Sequence, residues 1–339
     1  MKTIEITEPG KVITSERDIP DFGTDEVLLK IKYVGFCGSD LSTYLGRNTM
    51  VEFPRIPGHE ISAIIEKKGV DVPGYFEVGQ QVTVVPYTNC GQCTSCKQKR
   101  YNACKYNQTL GVQRDGAMSE YIAVPWQKIL PDNELSDKEL ALVEPMTVGF
   151  HAVDNARVTD LDTVMVFGCG MIGCGAIARA KLRGATVIVV DIDDKKLETA
   201  KIIGADFVVN SAKLDLHKTL DEITNGDGPS VVIEASGSPI AYKSAIEEVA
   251  FSGRVVCIGY AKSDVAFQTK LWVQKELEIR GSRNANPSDF EAVMKYLKHS
   301  AFDYNILISK IVRPEEAAAA MRQWAEKPGE TLKILVQFD

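Results

Sequence analysis

Residues 163–175 read TVMVFGCGMIGCG, and the reading of this stretch decides the fold. An apolar, β-branched run from Thr163 to Phe167 leads into Gly168, Gly170 and Gly173, spaced G-x-G-x-x-G, and a helix-length segment follows from about Met171 to Arg183. Three glycines alone also suit a structural turn. Their place after a strand and at the head of a helix gives them chemistry: Gly168 allows the tight turn, Gly170 lets backbone approach a pyrophosphate, and Gly173 lets helix pack on strand. Met171 and Ile172 open the helix whose N-terminus carries positive potential. The next strand, TVIVVD, ends on Asp191, eighteen residues after Gly173. A carboxylate there accepts hydrogen bonds from ribose hydroxyls and repels a 2′-phosphate, so the two features together predict NAD rather than NADP.

Outward from this stretch the texture is regular. Helices from about Lys195 to Ile203, near Leu214 to Thr224 and from about Ile240 to Ala250 alternate with the strands DFVVN, SVVIEAS, RVVCIG and LEIRGS. Such alternation demands a parallel sheet with helices on both faces. The first 125 residues differ: EVLLKIKYVGF, EISAIIEKKG, GQQVTVVPY and SEYIAVP are short apolar runs broken by Gly and Pro, a β pattern. The change of texture falls near Glu144 to Asp160, where the helical segment VGFHAVDNAR follows Pro145. Beyond Gly281 come two helical segments, PSDFEAVMKYLKHS and PEEAAAAMRQWAEK, and then the apolar strand LKILVQF. A strand that apolar needs a sheet to join, and the N-terminal β region is the natural host. The expected division is a discontinuous first domain, 1–146 and 285–339, and a second domain, 147–284.

Composition narrows the function. With 339 residues, 45% hydrophobic and 25% charged, the chain has the make-up of a soluble globular protein of two domains. No apolar run approaches the roughly 20 residues of a membrane span. The net charge of −7 opposes binding to nucleic acid or an anionic membrane. The opening MKTIEITEPGKVI has no apolar signal core, so a cytoplasmic location and reduced thiols are expected, Cys37, Cys169, Cys174 and Cys257 among them.

The other four cysteines are concentrated. Cys90, Cys93, Cys96 and Cys104 stand as C-x2-C-x2-C-x7-C in a lobe spanning 88–106. Four thiolates at that spacing read as a closed tetrahedral zinc site. Disulfides would need an oxidising compartment, and the usual iron–sulfur run closes with a shorter gap and a proline, whereas Lys105 follows Cys104. A zinc ribbon gripping nucleic acid is the remaining rival, because Lys97, Lys99, Arg100 and Lys105 are interleaved with the cysteines; a solvated loop rim explains those charges equally well. A closed site leaves no position for chemistry, so a second centre must be sought. The remaining ligand-type residues lie in FCGSDLSTY, PGHEIS and LVEPMTVGF: Cys37, His59, Glu60 and Glu144. Three protein ligands with an open position make a Lewis acid. Taken singly, a lone His is more often structural and a lone Glu more often a surface charge.

The segments GFCGSD (35–40), GHE (58–60), the cysteine lobe, Glu144-Pro145 and the Gly168–Gly173 loop stand in the order and spacing of the zinc-dependent medium-chain dehydrogenases, and the chain resembles that family over its whole length. It is most similar to the polyol and sugar-acid branch, which includes sorbitol, galactitol-phosphate, threonine and L-galactonate dehydrogenases. GSRNANPSDF (281–290) resembles the L-galactonate enzymes in particular. The resemblance implies an α/β chain with a GroES-like β catalytic domain, a Rossmann coenzyme domain, an active site in the cleft between them, two zinc ions and one NAD. It implies Cys37, His59 and Glu144 as catalytic zinc ligands, the glutamate where alcohol dehydrogenases carry a cysteine. Glu60 would be a nearby carboxylate able to bind the metal, and Asp40 would orient His59 by accepting its other ring N–H. Ser39 resembles the hydroxyl of a proton relay, Thr147 and Val148 would face the nicotinamide or its ribose, and His151 would lie near the cofactor phosphates. For Thr147 and Val148, plain helix packing is the competing explanation.

Two positions depart from the pattern: Ser42 stands where many relatives end the relay on a histidine, and Ala63 where a glycine is usual after GHE. The implied reaction is NAD-dependent oxidation of a secondary alcohol in a polyol, sugar acid or related hydroxy compound, with the zinc lowering the pKa of the substrate hydroxyl and hydride passing to the nicotinamide. A polyol phosphate and L-threonine are the alternative substrates. Tyr44, Phe53, Arg114 and Arg283 are the candidate specificity residues. A homodimer or homotetramer is implied, joined near Gly259 to Ser282. The competing functions are a zinc-free reductase on the same fold, which Asp191 and the ligand residues oppose, and a non-catalytic cofactor-sensing protein, which an impaired metal centre would accompany.

Overall fold

The computed structural model describes residues 1–338, which fall into two compact units: 1–144 with 286–338, and 145–285.

In the second unit six parallel strands lie in the order Phe207–Asn210, Thr186–Asp191, Thr163–Phe167, Val231–Glu234, Arg254–Cys257, Glu278–Gly281. Numbered as they occur along the unit this order is 3-2-1-4-5-6, the doubly wound arrangement of dinucleotide-binding sheets. The central strands are buried on both faces, which is why they read as unbroken Val and Ile rather than alternating. Val231 to Glu234 pair in register with Val164 to Phe167, so the strand order reverses beside the glycine-rich stretch. One core cluster forms around Met165, Ile188, Val209, Val232 and Val255, closed by Ala241, Ala245 and Ile246 from the helix Pro239–Glu248. Asp162 braces the opposite end of the sheet: it accepts from the Thr159 amide (2.8 Å) and the Ser230 hydroxyl (2.7 Å) and pairs with Arg254.

The first unit is built on a seven-stranded sheet, largely antiparallel, in which Glu26–Phe36 pairs with Glu60–Lys68, with Tyr121–Pro125 and with the late strand Ile334–Gln337. The apolar tail does join the N-terminal sheet as its composition demanded. The segment Lys2–Glu8 forms a hairpin with Lys11–Glu16, which the sequence reading did not assign; turn residues Pro9 and Gly10 sit between the two strands. Ile4, Ile31, Ile61, Val82, Met118 and Met321 belong to one buried cluster.

The boundary segment corrects an expectation. A helix was expected to begin after Pro145, but one helix runs Asp137–Asn155 with Pro145 inside it. DKELALVE before the proline is strongly helix-forming, and those residues carry the helix into Pro145, whose missing N–H leaves only the Ala141 carbonyl without its intrahelical donor.

Candidate metal centre and coenzyme loop

Strand register assembles the metal centre in the first unit. Gly35 lies opposite Glu60, and Ile334 lies opposite Phe36, so the end of one long strand, the start of its neighbour and the residue before the late strand meet at one place. Cys37 follows Phe36 and caps the short helix Gly38–Tyr44. His59 directly precedes the strand Glu60–Lys68. The Cys37 sulfur, a His59 ring nitrogen and a Glu60 oxygen all lie within 4.8 Å of one another, with His59 and Glu60 buried. A Cβ on residue 35 would stand 1.9 Å from Glu60 Oε2; glycine there leaves room for the carboxylate to lie across the strand.

Glu144 is buried in the same unit but stands outside this three-donor group. Its Oε1 accepts a hydrogen bond from the Tyr87 hydroxyl. The geometry thus brings Glu60, rather than Glu144, together with Cys37 and His59. Helix placement is the reason: Glu144 comes from the helix Asp137–Asn155, whereas Glu60 is the next residue after His59 and is fixed by the Gly35 register. Asp40 also departs from its expected role. Its Oδ2 accepts the Cys37 amide (2.8 Å) as part of a helix capping box, while Oδ1 and His59 Nδ1 are both buried without a hydrogen-bond partner. Asp40 acts on the imidazole through charge alone.

Two residues at this centre had no signal in the sequence. Lys333, buried, donates to both Glu60 oxygens at 2.5 Å and to the Phe36 carbonyl at 2.9 Å. Tyr87 is the other.

Electrostatics here are those of a dry, acidic pocket. Burial disfavours a charged His59 ring, but the adjacent Cys37 sulfur, with Glu144 and Asp40, outweighs it and raises the pKa well above the usual histidine range. Burial raises Glu144, with Glu60 adding to it against His59, Tyr87 and Lys333; burial likewise raises Asp40. Burial lowers Lys333, yet Glu60 and Cys37 reverse the sign and keep it an ammonium. Tyr87 is pushed well up by burial and by Glu144, so it remains a donor. Sulfur, nitrogen and carboxylate donors converging on a buried pocket that also holds an orphaned ring nitrogen suit a zinc ion with a position left open.

Ser39, in the first turn of Gly38–Tyr44, has a buried hydroxyl without a hydrogen-bond partner. Of the specificity candidates, Tyr44 is buried and Phe53 exposed; Arg114 is half-buried, its Nε lacks a partner, and burial lowers its pKa.

The cysteine lobe is preformed. Cys90 and Cys96 sulfurs lie 4.0 Å apart and Cys93 and Cys104 sulfurs 3.9 Å, against about 3.8 Å for the edge of a tetrahedron with ~2.3 Å Zn–S bonds. Backbone N–H groups of Cys90 and Tyr106 point at Cys104 Sγ (3.3 Å each) and that of Cys93 at Cys90 Sγ (3.4 Å). Amides of Cys96 and Lys105 pull the Cys93 thiol down to about 6, toward the thiolate that binds metal.

In the second unit the glycine loop has the geometry its spacing implies. Gly168 has φ +90°, and a Cβ on Gly173 would stand 1.9 Å from the Gly168 carbonyl. A Cβ on Gly170 would meet nothing within 4 Å, so the backbone there faces open space. Met171 and Ile172 form the first turn of the helix Met171–Leu182, whose N-terminus has no side-chain cap and leaves its amides available to an anion. Asp191 Oδ2 accepts the Cys169 amide (2.7 Å) and Oδ1 those of Ile192 (2.7 Å) and Asp193 (3.0 Å), which fixes the carboxylate beside the loop. Cys169 and Cys174 sulfurs lie 3.8 Å apart, both buried, and each other's presence and burial push the Cys169 thiol up. Thr147 is buried within its helix and His151 half-buried on it. At the C-terminal ends of Arg254–Cys257 and Glu278–Gly281 lies a cavity of about 430 Å³, lined by Tyr242, Cys257, Tyr260, Ser282 and Arg283 among others. No helix of the described residues is long and apolar enough to cross a membrane.

Comparison with known proteins shows the family of the chain. Residues 23–134 match the family model described as alcohol dehydrogenase GroES-like domain, and 172–299 the one described as zinc-binding dehydrogenase. The chain is 34% identical to the L-galactonate-5-dehydrogenase of Escherichia coli K12 over 310 residues, covering 91% of each chain. It is 33% identical to a sorbitol dehydrogenase of Halalkalibacterium halodurans, covering 96% of each. Among solved structures, that of the alcohol dehydrogenase RspB from E. coli CFT073, complexed with NADH, superposes with a TM-score of 0.92 at 30% identity, covering 100% of this chain and 99% of that one. The chain therefore belongs to the zinc-type medium-chain alcohol dehydrogenases, in their polyol branch.

Proposed function

We propose that this chain is a zinc- and NAD-dependent dehydrogenase that oxidises a secondary alcohol of a polyol, sugar acid or related hydroxy compound. The observation that carries the reading is the Cys37–His59–Glu60 group, with His59 and Glu60 buried, whose three unlike donors leave a position for a ligand. Bound zinc supplies Lewis acidity toward a hydroxyl, and bound NAD supplies the hydride acceptor.

The protein's own residues do the rest. Cys37, His59 and Glu60 hold the metal, with Lys333 fixing Glu60, while Cys90, Cys93, Cys96 and Cys104 hold the second zinc as a brace. The buried, unpartnered Ser39 hydroxyl relays the proton that leaves the substrate, accepting it as its own proton passes on to water. Gly168, Gly170 and Gly173 and the amides at Met171 and Ile172 receive the pyrophosphate. Asp191, already anchored by three backbone amides, accepts from the ribose and disfavours a 2′-phosphate.

Sugar acids of the L-galactonate type head the substrate candidates, because that relative matches along nine-tenths of both chains and GSRNANPSDF resembles its kind. Polyols, polyol phosphates and L-threonine are the alternatives. A homodimer or homotetramer is part of the reading; the exposed edge strand Glu278–Gly281 supports it, and light scattering on the purified protein tests it. The decisive assay follows NADH formation across a panel of aldonates, polyols, polyol phosphates and L-threonine, with NADP in parallel. Turnover of at least one compound is expected with NAD, and Cys37→Ala must abolish it without lowering the melting temperature of the coenzyme unit. Activity that survives Cys37→Ala refutes the metal-centred mechanism.

A further inference from the structure

Tyr87 and Glu144 make a second buried pair beside the three-donor group. Tyr87 follows the strand Gln81–Val84, its ring meets Phe290 edge-on with centroids 6.4 Å apart, and its hydroxyl donates to Glu144 Oε1. Glu144, Cys37 and Glu60 all act electrostatically on that phenol, and Glu144 is itself within electrostatic reach of His59 and Glu60. Yet among the described residues the oxygen grouped with Cys37 and His59, all within 4.8 Å of one another, is that of Glu60. Two carboxylates thus stand near one metal-binding group, and the one left outside has a phenol on it.

We propose that Tyr87 is a positioning residue that holds Glu144 back from the Cys37–His59–Glu60 group and so keeps the fourth position open to substrate. The inference rests on the reading that this group binds zinc. A dication in a buried pocket attracts any carboxylate within a few ångströms, and the attraction is strong where water is excluded. The opposing force must be local and directional, as a hydrogen bond from a phenol to a carboxylate is. With Glu144 held by Tyr87, the group has three protein donors; with Glu144 closed on it there are four, the arrangement of sites that do no chemistry.

The test uses the full chain with its metals, as wild type, Tyr87→Phe and Tyr87→Phe/Glu144→Gln. Metal analysis of the wild type comes first: two zinc ions per chain uphold the underlying reading, and one overturns it independently of Tyr87. In Tyr87→Phe, zinc release from the Cys37 site into a chelator should slow about tenfold or more, the scale set by loss of one charge-assisted hydrogen bond. Release from the Cys90–Cys104 lobe should not change, which controls for general destabilisation. The visible bands of cobalt placed at the Cys37 site should shift, and kcat should fall with the zinc content intact. Adding Glu144→Gln should return zinc release and the cobalt bands to wild-type values. Cobalt bands and zinc release in Tyr87→Phe that match the wild type overturn the proposal; so does faster zinc release that Glu144→Gln leaves unchanged.

Discussion

Lys333 Nζ lies 2.5 Å from each carboxylate oxygen of Glu60, and both side chains are buried. The contact joins residues 273 positions apart and places a fixed positive charge behind a carboxylate that lies within 4.8 Å of the Cys37 and His59 donors. A buried ion pair is weak evidence of net stabilisation, but removing one partner is costly.

Lys333→Met should therefore destabilise the metal-free protein by about 3–5 kcal/mol, because Glu60 is left charged and unpaired. Zinc should restore more stability to the variant than to the wild type, since the metal replaces the missing counter-charge. Chemical denaturation with and without zinc measures both; equal zinc effects would contradict the assignment of Glu60 to the metal.

Gly35→Ala tests the same carboxylate from the other side. The added methyl would stand 1.9 Å from Glu60 Oε2, so the side chain must move. Overpacking of this kind costs about 1–3 kcal/mol. Zinc content should fall from two per chain toward one, with dehydrogenase activity lost in proportion, while the cysteine lobe keeps its ion.

The glycine loop offers a contrast between neighbours. Gly173→Ala puts a methyl 1.9 Å from the Gly168 carbonyl and should lower both the melting temperature and NADH affinity. Gly170→Ala meets no protein atom within 4 Å, so its melting temperature should stay within a degree or two while NADH affinity falls about tenfold or more, because the methyl occupies space meant for the pyrophosphate. Calorimetry and NADH fluorescence separate the two outcomes. Undiminished NADH binding in Gly170→Ala would mean that the coenzyme does not lie on this loop.

Asp162 gives a pH dependence. Burial opposes its ionisation, but the Thr159 amide, the Ser230 hydroxyl and Arg254 together lower its pKa below the ordinary 3.8. A carboxylate lowered in the folded state contributes stability that is fully present above its unfolded pKa and is lost as pH falls through the folded one. Asp162→Asn should cost about 2 kcal/mol at neutral pH. The gap between variant and wild type should close as the pH falls below 3.8, measured by urea titration at a series of pH values.

Much of this molecule could be read in advance because its signals are local. The 3-2-1-4-5-6 sheet, the glycine loop and Asp191 lie within short windows where strand, turn and helix chemistry each leave a mark, and the four clustered cysteines need only one loop. Cys37 and His59 carry no such local mark and were named as ligands through the resemblance. Lys333 was not legible: nothing in LKILVQF distinguishes a lysine at a strand edge in water from one folded against Glu60, because only the pairing of Ile334 with Phe36 decides it. Tyr87 was hidden likewise, since its partner is on a helix far along the chain. Resemblance named Glu144 as the third ligand with Glu60 nearby, and strand register is what brings Glu60 to Cys37 and His59. Pro145 misled because a proline is a helix boundary more often than a helix interior residue.

The route of the chain through its two units bears on how the enzyme is made. Residues 145–285 are contiguous, and a nascent chain can fold them as soon as they are released from the ribosome. The unit that carries Cys37, His59 and Glu60 is complete only after Ile334–Gln337 has paired with Glu26–Phe36. During synthesis the cell therefore holds a finished coenzyme unit beside a half-built sheet with an open hydrogen-bonding edge and an uncompensated Glu60. In that interval Glu60 has no Lys333 to pair with, so the group gains its counter-charge only when the last stretch of chain arrives.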